Sequence, residues 1–332
     1  MIEHSRQALV GAIGGTYISL ATMDIDELTV ANFALLNSAN FKTPMEAIER
    51  YLKSLPHVPG KVGLSIAGVI EGQRARMSHL PWSFDWNDIR AVTGADQVAF
   101  VNEFEALALA APRLTDYDLI EINAGSQKRT ATRAVVSAGT GLGAAALVWS
   151  GDKWTSMSGE SRLTSFPAPQ GHEFDIRTVL AHESFVTAGQ VLTGHGLVTL
   201  YEALVKAAGR QATQLNPTQI TKAGLSGEDK AAGDALDLMA IWLGRFAGDV
   251  ALHYGASGGV YLAGGMPVGI VPALQTGRFH EAFEGVGERH DYLGDVPVYV
   301  IKAGADAGLR GAAIALANSL PERPTSIRRI RA

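Results

Sequence analysis

The chain contains no cysteine, so neither a disulfide nor a thiolate metal site can form. Long apolar runs are missing as well. The most apolar helical stretch, Leu236 to Tyr254, is interrupted by Asp237, Arg245 and Asp249 and reads as a buried helix rather than a membrane span. Charge is sparse: Asp, Glu, Lys and Arg make up 18% of the residues, and the net charge is −5. That balance argues against nucleic acid or an anionic membrane as a main partner. Met1-Ile2-Glu3-His4 shows no basic segment followed by an apolar core, which predicts no signal peptide and, by default, a cytoplasmic location. No glycine turn is followed by Gly-Lys-Ser/Thr, and none opens a helix as Gly-x-Gly-x-x-Gly, so neither a Walker loop nor a dinucleotide fingerprint is present. No His, Asp or Glu cluster has metal-ligand spacing, which predicts no protein-held metal.

What is present fits a globular protein of two domains, with 332 residues of which 47% are hydrophobic. Ala8-Leu9-Val10, a glycine turn from Gly11 to Gly15 and Thr16 to Thr22 read as strand, tight turn, strand. Met45, Ile48, Tyr51, Leu52 and Leu55 keep helical spacing. Val62 to Ile70 reads as one buried strand. Val98 to Val101 reads as another, followed by a helix from Glu103 that Pro112 ends. Near residue 134 the opening pattern returns: Ala134-Val135-Val136, the turn Ser137 to Gly143, then the apolar run Ala144 to Trp149. A strand–glycine turn–strand unit that occurs twice suggests a duplicated α/β domain, although such hairpins are common enough to recur by coincidence. Helical patterns dominate from about 174 to 254, and a third glycine-bounded strand spans Gly258 to Gly265. The tail, Pro321 to Ala332, has no apolar periodicity and predicts a solvated end.

The glycine turns carry the chemical signal. Glycine leaves room for a ligand against the main chain, and successive N–H groups in such turns make a concave anion site. The order Leu9-Val10-Gly11-Ala12-Ile13-Gly14-Gly15-Thr16, Asn102-Glu103-Phe104, Ser137-Ala138-Gly139-Thr140-Gly141-Leu142-Gly143, Val191-Leu192-Thr193-Gly194-His195-Gly196-Leu197 with Tyr201, and Gly258 to Gly265 resembles the bacterial glucokinases. These belong to the actin/hexokinase-type ATPase superfamily, with its ribonuclease H-like fold. The resemblance runs from about residue 8 to 315. It implies an α/β fold of two domains with a cleft between them: a small one from 1–114 plus 310–332 and a large one from 115–309. It also implies a homodimer and ATP-dependent phosphorylation of the glucose 6-hydroxyl. By the resemblance, ATP with Mg²⁺ lies against Gly11, Gly14, Gly15, Thr16, Gly139, Thr140, Gly141, Gly264 and Gly265. Asn102 and Glu160 hold the sugar, and Glu103 takes the proton. The chemistry agrees, because phosphoryl transfer asks a protein for positioning and charge stabilisation, with a carboxylate to orient the hydroxyl.

Several positions depart from the family pattern. Ala12 stands where the family has Asp near the metal and phosphates, and Tyr17 where it has Asn. Glu103 replaces the catalytic Asp. The segment Gly-Glu-x-x-His is here Gly159-Glu160-Ser161-Arg162-Leu163, and a second sugar-binding Glu is Gly189, which predicts a water-filled gap. Hydrogen bonds with a charged partner contribute about 1.5–3 kcal/mol each. Losing those at 163 and 189 would lower sugar affinity by about 10²–10⁴. Plainer readings stand beside these roles. Asn102 with Glu105 has capping-box spacing, Glu160 fits a solvated loop, and His172, nine residues beyond Leu163, reads as an exposed loop histidine ahead of a substitute for the lost one. His79 has no assigned role. Two functions remain open: a sugar kinase with weak or altered glucose turnover, or a catalytically silent ligand sensor or regulatory partner.

Overall fold

Strand β1 (Gln7–Ile13) is apolar on both faces, with Ala8, Leu9, Val10 and Ile13 all buried. A tight turn returns it as β2 (Tyr17–Asp24), in antiparallel register from Gln7 opposite Asp24 to Ile13 opposite Ile18. In that turn the Gly14 N–H donates to the Tyr17 carbonyl at 3.0 Å, and a Cβ on Gly14 would stand 2.8 Å from the same oxygen, so no larger residue fits. The chain continues as β3 (Val30–Asn37), α1 (Pro44–Leu52), β4 (Lys61–Ile66), β5 (Gly68–Glu71), β6 (Arg74–Met77), β7 (Ser83–Asp85), α2 (Trp86–Thr93) and β8 (Gln97–Asn102). Helix α1 starts where the sequence signals it: Thr43 accepts from the Glu46 N–H and Pro44 follows at the first helical position. Helix α2 opens on a capping box formed by Asp85 and Asp88 and ends at Gly94 in the left-handed region, φ 68°.

The second run of elements is α3 (Glu103–Ala110), β9 (Leu119–Asn123), β10 (Arg133–Ala138), β11 (Leu142–Trp149), β12 (Trp154–Gly159), α4 (Ala188–Val191), α5 (Gly194–Ala207), α6 (Pro217–Ser226) and α7 (Lys230–Tyr254). It closes with β13 (Val260–Ala263), α8 (Gly265–Gly269), α9 (Val271–Leu274), α10 (Arg278–Glu284), α11 (Glu288–Leu293), β14 (Val298–Ile301) and α12 (Gly304–Ser319). This is a computed structural model, and it describes residues 6–126, 128–171, 173–180 and 185–320. The tail from Pro321 and His172 therefore lie outside the described residues. Two units emerge, one of residues up to Glu103 together with those from Gly308 onward, the other Phe104–Ala307.

The first unit holds a five-stranded sheet in the order β3-β2-β1-β4-β8 and a small sheet, β5-β6-β7. Side chains alternate across β1 as a strand requires. Leu9 and Ile13 join Val62, Leu64, Ile48 and Ile89 on one face. Ala8 and Val10 join Leu309, Ala313 and Leu316 of α12 on the other. The second unit holds a six-stranded sheet, β12-β11-β10-β13-β14-β9, packed against the long helix α7. The two large sheets share one pattern: a central strand paired antiparallel to the next strand and parallel to a later one, β1 with β2 and β4, β10 with β11 and β13. The repeated strand–glycine turn–strand unit is thus matched by repeated topology, which coincidence of two hairpins does not explain.

Two expectations are corrected. The run Val62–Ile70 is two strands in two sheets, because the chain leaves β1 at Ala67, whose N–H bonds to Ile13, and from Gly68 pairs with β6. Regular helix begins at Ala188 rather than 174, with only one 3-10 turn, Ile176–Thr178, before it among the described residues. There Phe166 N–H bonds to Val186 and Ala188 N–H to Thr164, which holds both segments extended. No described helix is long and apolar enough to cross a membrane.

Candidate active site

Asn102 is the last residue of β8, opposite Ile66 of β4, and its amide nitrogen donates to the Gly68 carbonyl at 3.0 Å. Glu103 follows as the first residue of α3 and is partly buried. Burial pushes its carboxyl up to about 7, because the charged form loses water that nothing replaces in full. The next two residues fix the start of the helix. The Phe104 ring rests on Gly143: a Cβ there would lie 2.1 Å from the ring. The Glu105 carboxylate accepts from the Ser158 N–H at 3.1 Å and its hydroxyl at 2.8 Å, so Glu105 is tied to β12.

The glycine turns fall into two groups, one in each unit. In the first, Gly11 lies buried inside β1, where a Cβ would meet Leu64 at 2.8 Å and Leu20 at 2.9 Å, so its small size serves packing. Gly14 and Gly15 are partly accessible and Thr16 is exposed. His79 lies against this turn, its Cβ 3.4 Å from where a Gly15 Cβ would stand. Ala12 is partly buried and packs against the cluster that holds Leu309. In the second unit, Ser137 of β10 pairs beside Ala263 of β13, which brings two turns together. Gly139 and Gly265 face each other, 3.6 Å from a Gly139 Cβ position to the Gly265 nitrogen. Gly264 adopts φ 92° with no room for a side chain, the Ala138 oxygen being 2.3 Å from its Cβ position. Thr140 and Gly265 are exposed, Gly139, Gly141 and Gly264 partly so. The Gly14 and Gly139 N–H groups are engaged within their turns, to Tyr17 and to Gly141 at 2.8 Å. Among the described residues no group of three or more His, Cys, Asp or Glu side chains is arranged to hold a metal.

Glu160 follows β12 and precedes a single 3-10 turn, Ser161–Leu163. Its Oε2 accepts from Arg162 Nε at 2.9 Å, and both side chains are largely exposed. Leu163 is half-exposed. Gly189, in α4, leaves no gap. The Arg162 carbonyl lies 2.9 Å and the Arg162 Cβ 3.0 Å from its Cβ position, so the 161–163 turn fills the space where water was expected. Arg162 is the site residue that sequence reading missed, although it stands inside the quoted segment.

Glu160 also borders a cavity of about 590 Å³, lined besides by Ser161, residues 164–167, Ala188, Leu192 and the second half of α7. One wall is aromatic. Trp242 packs edge-on against Phe166 with ring centres 5.1 Å apart, and its Nε1 donates to Glu173 at 3.1 Å. Arg245 pairs with the same carboxylate through both terminal nitrogens. Burial alone would raise the Glu173 carboxyl, but these donors hold it below the usual range.

A family model described as glucokinase matches residues 9–319. The chain is similar to the glucokinase of Brucella melitensis biotype 1, 35% identical over 295 residues that cover 88% of this chain and 86% of the relative. It is similar in structure to a glucokinase from an Antarctic psychrotroph, with a TM-score of 0.82, 30% identity and coverage of 95% and 99%. The fold is also shared, at 20% identity and a TM-score of 0.66, with a ROK family glucokinase from Streptomyces griseus solved in complex with glucose and AMPPNP, covering 92% of this chain and 98% of that one.

Proposed function

The chain belongs to the glucokinase family and has its two-domain actin/hexokinase-like α/β fold, and from that premise we propose that it is an ATP-dependent sugar kinase that uses Glu103 as base and turns over glucose poorly. The observation that carries the reading is Glu103 itself: a partly buried carboxyl, at the end of β8 beside Asn102, raised to about 7. A general base works best when its pKa lies near the operating pH.

In this reading Asn102 and Glu160 hold hydroxyls of the acceptor. Glu103 accepts the proton of the reacting hydroxyl as that oxygen bonds to the γ-phosphorus of ATP. The bond from the γ-phosphorus to the bridging oxygen breaks, and ADP leaves with the electron pair. ATP supplies only the phosphoryl group. Because the Gly14 and Gly139 amides are engaged within their turns, the phosphates would be met by neighbouring main chain at Gly15, Thr16, Thr140, Gly141, Gly264 and Gly265. Ala12 offers no carboxylate toward a metal ion, so nucleotide binding is weak and depends little on Mg²⁺.

Three features make glucose a poor acceptor. Leu163 can neither donate nor accept a hydrogen bond toward a sugar hydroxyl. The place of a second carboxylate at 189 is filled by the Arg162 backbone. Arg162 occupies one oxygen of Glu160. A coupled assay of ADP formation tests the proposal on wild type and Glu103→Gln with a panel of hexoses. Sugar-dependent turnover that the variant loses supports it. No turnover with any sugar, or turnover that the variant keeps, overturns it.

A further inference from the structure

The cavity beside Glu160 has the lining of a carbohydrate site, and we propose that it receives a further sugar unit, so that the acceptor is a disaccharide or larger glycoside rather than free glucose. This rests on reading Glu160 as an acceptor-side residue. About 590 Å³ lies inside the range of roughly 300–1,000 Å³ usual for small-molecule sites and exceeds what one hexose ring fills.

The lining mixes polar and aromatic side chains. The 160–165 segment contributes the Glu160 carboxylate and the hydroxyls of Ser161, Thr164 and Ser165. Helix α7 contributes the rings of Trp242, Phe246 and Tyr254, together with Asp249 and His253. A pyranose has matching surfaces, with C–H groups on its faces and hydroxyls around its edge. The Trp242 ring is held in place before any ligand arrives. Glu173 anchors the Trp242 indole while Arg245 anchors Glu173, so little side-chain ordering remains to be done on binding. Charge points the same way. Both lining carboxylates already have partners, Glu160 with Arg162 at 2.9 Å and Asp249 with Arg289 at 2.6 Å, which favours a neutral polyhydroxyl ligand over a cation. The filled position at Gly189 removes a contact to the first ring, and an added ring beside Glu160 offers a different one.

Calorimetry on the full chain without nucleotide, with glucose, maltose and cellobiose as probes, tests the inference independently of turnover. At least one disaccharide should bind about tenfold or more tightly than glucose. Phe246→Leu and Tyr254→Leu, which keep apolar volume and remove the ring, should each abolish that preference without changing glucose affinity, and a variant that melts early yields to the other. Equal or weaker binding of both disaccharides, or a preference that survives both ring removals, overturns the inference. Disaccharide binding with no phosphorylation of any sugar would keep this site and end the kinase reading. Glucose turnover that Glu103→Gln abolishes, with no disaccharide bound, would do the reverse.

Discussion

The carbonyl oxygen of Arg162 lies 2.9 Å from the point where a Cβ on Gly189 would stand. The obstacle is backbone, which cannot swing aside as a long side chain can. Restoring a glutamate at 189 therefore requires the Ser161–Leu163 turn to move. Gly189→Ala should lower stability by about 1–3 kcal/mol, the usual range for overpacking. Gly189→Glu alone should not raise glucose turnover. Denaturant unfolding of the two variants checks this, and an unchanged midpoint for Gly189→Ala would contradict it.

A second prediction concerns Phe104 and Gly143. A Cβ on Gly143 would lie 2.1 Å from the Phe104 ring, so Gly143→Ala must push the ring and with it the first turn of α3. Since Glu103 precedes Phe104, the base moves too, and a misplacement of about 1 Å can cost about 10²-fold in rate. Gly143→Ala should lower kcat more than it changes KM. Combining it with Phe104→Ala should recover part of the loss, a coupling that a double-mutant cycle measures. Additive effects would show that the two residues act separately.

The raised carboxyl of Glu103 gives two pH effects of opposite sense. As a base it must be deprotonated, so kcat/KM should rise with pH and level off above about 7. For stability, the folded form keeps its proton to a higher pH than the unfolded form, whose value is near 4.5. The folded state is thus favoured at low pH and loses that advantage as pH rises from about 4.5 through 7. Glu103→Gln cannot ionise, so it should melt higher than wild type at pH 8, with the gap closing toward pH 4. Thermal scans at both values test this, and a gap independent of pH would refute it.

Nucleotide binding tests the phosphate side. Calorimetry with ATP should give weak binding that changes little when Mg²⁺ is withdrawn. Ala12→Asp should make binding more Mg²⁺-dependent. Tight, strictly Mg²⁺-dependent binding by wild type would contradict the role given to Ala12.

Much of this was legible from the residues. The glycine turns and the doubled hairpin are local features, set by backbone space and strand alternation, and they appear within the expected stretches but shorter: β1 runs on through Gly11 to Ile13 and β10 to Ala138, so the turns begin at Gly14 and Gly139. The apolar spacing of Met45, Ile48, Tyr51 and Leu52 announced α1, a local period as well. The Val62–Ile70 run was misread because a continuous apolar stretch carries no mark of where a strand changes sheets; the partner strand β6 decides it. The occupation of Gly189 by Arg162 was hidden, because an absent side chain reads as empty space until the 26 intervening residues are folded back through the Phe166–Val186 bond. Burial of Glu103 was hidden likewise: its place after Asn102 pointed to a base, but nothing in the local sequence shows how much water the folded chain removes from it.

The most direct test is kcat/KM for glucose at saturating ATP on wild type and Glu103→Gln. The account predicts measurable wild-type turnover well below about 10⁴ M⁻¹s⁻¹, the lower end of ordinary enzymes, and a loss of about 10²-fold or more in the variant. A wild-type value at or above that level, or a variant as active as wild type, would contradict it.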